Sequence, residues 1–160
     1  MLELTEINET PPNSSVHNTD GTFGISERYL SWSDGCLRFF VGLDSCANVH
    51  SVPHEALLSG VQESDSQVST SGGMATTSYK GTWEIGSYDV DAHFHVIKVT
   101  NVSLLPNCAI PLLSVSKLEE INVRLDSVNR VLVLVDQRRL PVYMVNGMYG
   151  IWCYPSGGEQ

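Results

Sequence analysis

The residue of this chain best suited to chemistry is a carboxylate at the end of an apolar run. In Phe39-Phe40-Val41-Gly42-Leu43-Asp44, four of the five residues before the Asp are apolar, and Ser45, Asn48 and Pro53 break the pattern beyond it. Such a run reads as a short buried strand. A strand this apolar that stops on an Asp delivers one carboxylate to the rim of a core. Burial there raises the cost of ionisation and moves the pKa towards acid–base use. A carboxylate that merely opens a turn gives the same local pattern.

Three other groupings compete with it. Cys46, His50 and His54 recur at intervals of four, which on a helix would suit a thiol–imidazole pair or a metal cluster. Pro53 and the loop-like composition speak against a shared helical face. His93 and His95 fall on one strand face at i, i+2, a metal-compatible spacing, but no third ligand is evident. Asp126-Ser127 repeats the look of Asp44-Ser45 yet runs into Val128-Asn129, the composition of a hairpin turn. No metal or organic cofactor is expected.

The elements that must position Asp44 are mostly short strands. Residues 37–43 form the strand that ends on it. Residues 53–59 suit one helical turn started by Pro53. Residues 67–70 and 79–85 read as two strands around a tip of Ser71, Gly72, Gly73, Met74 and Ala75, where glycine frees the backbone for a hairpin. Residues 93–99 alternate and 102–105 extend them, and Pro106 and Pro111 bracket a loop. Ser114 or Ser116 can cap a short helix with Leu118 and Ile121 on its buried side. Strands follow at 123–125, 131–135 and 140–145, and Asn146-Gly147 turns into a last one at 148–154. The class is mainly β, a closed or sandwiched barrel with one short helix in the C-terminal half.

The chain has 160 residues, enough for one domain with a sizeable core. A formal charge of −9 argues against a surface that neutralises phosphates or binds anionic lipid, so no nucleic-acid or membrane partner is expected. No run of about 20 apolar residues is present, and the acidic N-terminus lacks an apolar signal core. Cys36, Cys46, Cys108 and Cys153 are widely spread with no C-x-x-C pair, and read as reduced thiols of a cytoplasmic protein. Trp32, Trp83 and Trp152 read as packing residues.

Two stretches together resemble a known family. Leu43-Asp44-Ser45-x-Ala47-x-x-His50 resembles the active-site signature of the aspartic proteases of Copia-type (Ty1/copia) retrotransposons, hydrophobic-Asp-Ser-Gly-Ala-x-x-His. Val102-x-x-Leu105-Pro106-Asn107 followed by Leu112-Leu113-Ser114-Val115-Ser116-Lys117-Leu118 resembles their second signature. Gly72-Gly73-Met74 and Lys80-Gly81-Thr82-Trp83 fall where that family has its flap. Met148-Tyr149-Gly150-Ile151-Trp152 resembles the Gly-Leu-Tyr run leading towards the integrase of such polyproteins.

The resemblance implies a retropepsin-like acid-protease barrel that works as a homodimer. It implies Asp44 as the catalytic residue from each chain, with Ser45, Cys46, Ala47, Leu112 and Leu113 supporting the active-site loop. It implies His50 as a structural residue hydrogen-bonded near that loop. Ser71, Gly72, Gly73, Met74 and Ala75 form the flap over an extended peptide of the polyprotein. The implied division is a polar linker or disordered arm over 1–34, a protease domain over 35–145, and a strand and tail over 146–160 leading towards the next polyprotein domain. The implied setting is the cytoplasm, including virus-like particles. Cys46 stands where the family has Gly, which leaves two alternatives: a catalytically silent dimerisation or peptide-binding module, and a Cys46-dependent hydrolase.

Overall fold

The structure, a computed structural model, describes residues 23–155 apart from Asp34 and Gly72. The chain is mainly β. Its strands are β1 (Leu30–Ser33), β2 (Cys36–Asp44), β3 (Ser51–Val52), β4 (Ser59–Thr70), β5 (Gly73–Tyr88) and β6 (Phe94–Leu104). After β7 (Leu112–Ser114) come a helix, α1 (Val115–Glu120), and β8 (Arg124–Asp126), β9 (Val131–Val133), β10 (Arg139–Pro141), β11 (Tyr143–Val145) and β12 (Met148–Cys153).

The six residues from Phe39 to Asp44 are all buried. Continuous burial requires cover on both faces, which is why the run is apolar without alternation. Antiparallel β12 flanks β2 on one side, and parallel β7 flanks it on the other with Gly42 opposite Leu112, Leu43 opposite Leu113 and Asp44 opposite Ser114. The large sheet then continues through β3, β6 and β5 to β4, while β1 pairs with β2 off this path. β8, β9 and β10 form a separate three-stranded sheet.

The expected closed barrel is therefore not formed among the described residues. The large sheet ends on β11 at one edge and β4 at the other, and β8, β9 and β10 pair among themselves apart from it. Leu132 and Leu140 of the small sheet are fully buried in the same hydrophobic core as Phe40, Trp83, Leu113 and Ile151.

Several local expectations shift. The hairpin strands β4 and β5 are longer than expected, and Gly73, Met74 and Ala75 belong to β5 rather than to the tip. Gly73 has φ +118°, which glycine tolerates, so pairing resumes at once between Thr70 and Gly73. The helical turn expected over 53–59 is a short 3₁₀ turn, Glu55–Leu57, capped by His54 rather than started by Pro53. In α1 the cap is Ser114, whose Oγ accepts the Lys117 N–H at 3.2 Å. Leu118 is buried as expected, but Ile121 is exposed, because the helix has ended and Ile121 is its C-cap. The strand expected over 140–145 is split into β10 and β11, which pair in different sheets. Asn146 and Gly147, at φ +51° and +81°, form the turn between β11 and β12.

The N-terminal boundary also moves. β1 lies within the expected arm, yet it pairs with β2 from Leu30–Phe39 to Ser33–Cys36, and Ile25 joins the core. Residues 1–22 and 156–160 lie outside the described residues. Among the described residues no helix is long and apolar enough to cross a membrane.

β12 seats on β2 through a glycine. A Cβ on Gly150 would lie 2.4 Å from the Val41 carbonyl oxygen and 2.4 Å from Phe40 Cζ. The carbonyl is backbone in a paired strand and has no room to yield. Gly150→Ala is expected to cost about 2–3 kcal/mol, lowering the melting temperature by roughly 5–10 °C in a thermal unfolding scan. An unchanged melting temperature would mean that β12 does not lie on Phe40.

Candidate active site

Asp44 is the last residue of β2 and is 5% exposed. Its Oδ1 accepts the Cys46 N–H at 2.8 Å, and its Oδ2 accepts the Ser71 N–H at 3.0 Å. The carboxylate is thus held from below by its own loop and from above by the tip of the β4–β5 hairpin. Three further bonds stitch that hairpin to the loop, one of them from Ser69 Oγ to the Cys46 carbonyl at 3.5 Å. Ser69 donates its N–H to Asn48 Oδ1 at 2.9 Å, and Asn48 returns its N–H to the Ser69 carbonyl at 3.0 Å.

The loop itself is a tight turn in which the Ala47 N–H reaches the Asp44 carbonyl at 3.3 Å. Ala47 is buried, whereas the side chains of Ser45 and Cys46 are exposed. Cys46 is not among the residues with positive φ, so this turn has no conformational need for glycine. The carbonyl of Pro111 accepts the Gly42 N–H at 3.0 Å, holding the segment before β7 against β2.

Ser114 locks the loop from beneath. Its Oγ donates to the Ala47 carbonyl at 2.8 Å, and its N–H donates to Nδ1 of His50 at 3.0 Å. Nδ1 can accept only in the neutral ring. Burial, and to a smaller degree the positive charge of Lys117, lowers the His50 pKa to about 4, while Glu120 opposes the shift. The Leu112 and Leu113 side chains, both buried, stand on the strand next to β2.

A cavity of about 410 Å³ lies under the hairpin tip; Asp44 is not part of its lining and connects to it through Ser71. Ser71, the donor to Asp44, is part of its lining, and so is Cys108. Burial pushes the Cys108 thiol pKa up, and the negative charge of Asp44 adds to the shift.

The competing groupings find other partners. No hydrogen bond joins Cys46 to His50 or His54 among the described residues, and His54 Nδ1 accepts the Ala56 N–H. His95 Nε2 lies 2.7 Å from the buried Asp89 carboxylate, and Arg138 Nη1 bridges Asp89 and His93 Nδ1 at 3.0 and 2.7 Å. Asp89 is held well below the usual carboxylate range; backbone and side-chain hydrogen bonds outweigh its burial, which acts in the opposite direction. This is an ion-pair hub joining β6 to the segment before β10. Among the described residues no group of three His, Cys, Asp or Glu could hold a metal ion. Asp126 accepts both the N–H and the side-chain amide of Asn129, closing a turn.

Three contacts carry no sequence signal. The Ser71 N–H on Asp44 and the Ser114 N–H on His50 use backbone donors that every non-proline residue possesses. Asn48 is one of many polar loop residues until Ser69 is seen opposite it. Comparison of the chain with family models, curated proteins and solved structures finds no significant match.

Proposed function

We propose that this chain is a retropepsin-like aspartic endopeptidase of the Copia retrotransposon type. It acts as a homodimer in which each subunit contributes Asp44, on peptide junctions of its polyprotein. The observation that carries this reading is the setting of Asp44. A buried carboxylate closes an apolar strand, is oriented by the N–H of Cys46, and lies under the tip of a long hairpin. The family resemblance in the sequence supports the same assignment.

One such carboxylate per chain is half of an acid–base pair. Two carboxylates held close together share one proton, because both cannot ionise easily side by side. The ionised one takes a proton from water, which attacks the scissile carbonyl, while the protonated one polarises the carbonyl oxygen. A two-fold axis supplies the second carboxylate from the same residue of the partner. Ser71 must release Asp44 before water and peptide can enter, so the hairpin works as a lid. Its exposed strand β4 is an edge against which an extended peptide can pair.

A second reading keeps the peptide site but not the chemistry. Its support is the same Ser71 bond, which occupies the carboxylate oxygen that a water molecule would need. The separating experiment is cleavage of a peptide library near pH 5 over a range of protein concentrations. The protease reading expects specific activity to rise with concentration as dimers form, together with inhibition by a hydroxyl-bearing peptide isostere. A folded dimer that binds peptides but cleaves none would select the silent module. Cleavage abolished by thiol alkylation and by Cys46→Ser, but not by Asp44→Asn, would point to Cys46.

A further inference from the structure

The cavity under the hairpin tip is walled by parts distant in the sequence: Tyr29, Met74 of β5, Cys108, Ile110, Leu112 of β7 and Met148 of β12. Among the described residues no charged side chain lines it. Met148 reaches the cavity because of Gly42, two residues before Asp44. A Cβ on Gly42 would lie 2.3 Å from Met148 Sδ, 2.9 Å from Leu112 Cδ2 and 3.2 Å from Ile110 Cδ1. Met148 sulfur therefore occupies the space that a side chain at position 42 would fill. The cavity wall over position 42 of β2 is supplied by the C-terminal hairpin instead of by β2 itself.

We propose that this cavity takes an apolar side chain of a bound peptide next to the bond facing Asp44, and that Met148 sets the size it accepts. The inference rests on the reading of Asp44 as the centre of a peptide site. Ile110 and Leu112 are buried in the core at 4% and 7% exposure, so they form a fixed wall. Met148 is only partly buried and is unbranched, with a flexible thioether. It is the wall that can yield, and the residue whose replacement changes the cavity with least disturbance of the core. The hairpin β11–β12 is then part of the site.

The test uses the full chain and octapeptides that differ only in one central residue: Ala, Leu, Phe or Trp. Binding is measured by fluorescence polarisation in the Asp44→Asn background, and kcat/KM with Asp44 intact. One or two methylene groups in an apolar pocket change selectivity by about 10-fold or more. Met148→Ala is expected to move the Trp-to-Leu ratio upward by about that factor, and Met148→Phe to move it downward. Unfolding scans establish that both variants are folded. Variants that scale all peptides equally, or a folded chain that binds none of them, would overturn the proposal. Selective binding that depends on Met148, without cleavage by the wild type, would keep the pocket and remove the protease. Cleavage with unchanged selectivity would do the reverse.

Discussion

Asp44→Asn is expected to reduce peptide cleavage by at least about 10³-fold while the chain remains folded and dimeric. The size follows from losing both the general base and the shared proton, since positioned acid–base groups contribute about 10²–10⁴-fold. The fold is expected to survive because β2 is held by pairing with β1, β7 and β12, none of which uses the Asp44 side chain. Asn can still accept the Cys46 N–H through its amide oxygen, but its NH₂ would face the Ser71 N–H, two donors opposed. The variant lid should therefore be looser, seen as faster amide exchange at Ser71. A mixing experiment reads the stoichiometry of the site. If subunits exchange freely, adding an equal amount of Asp44→Asn leaves about half as many wild-type pairs, and activity falls to about half. Activity unaffected by the admixture would mean that each chain works alone, and the two-carboxylate mechanism would fail.

The second large effect concerns acid. His50 binds a proton near pH 6.5 when the chain is unfolded and only near pH 4 in the fold. Between those values the unfolded state holds more protons, so stability is fully present above about pH 6.5 and is lost progressively as pH falls towards 4. The full loss is about 3 kcal/mol, a large part of an ordinary domain's stability. His50→Asn offers the Ser114 N–H an amide oxygen in place of Nδ1 and has no charge to gain. Denaturant unfolding at pH 7, 5.5 and 4 should show the wild type weakening across this window more steeply than His50→Asn. Parallel loss in the two proteins would remove His50 as the cause. Because Ser114 joins His50 to the Ala47 carbonyl, protonation of His50 loosens the Asp44 loop itself. Under the protease reading, an acid optimum is then bounded on its low side by this histidine.

Local chemistry made much of this legible. The apolar run into Asp44, the serine cap at 114 or 116 and the Asn146-Gly147 turn each depend on residues within a few positions of one another. The structure places each of them as an element end, a helix cap and a hairpin turn. The reach of β4 and β5 was not legible, because residues 59–66 and 73–78 are mostly exposed and carry no regular core-facing alternation. The same applies to β1: its polar surroundings read as an arm, and only its register against Leu37 and Phe39 makes it a strand.

The sequence by itself determined a mainly β chain with one chemically plausible carboxylate at the end of a buried strand, because burial and turn chemistry are written in neighbouring residue types. Tertiary structure alone decided what surrounds that carboxylate. Ser71 comes from 27 residues away, the Ser114 bond to His50 spans 64, and Met148 arrives as the first residue of β12 to stand in the space left by Gly42. Two of these contacts are made by backbone N–H groups and the third by the absence of a Cβ, so no residue type announces them until the strands have paired.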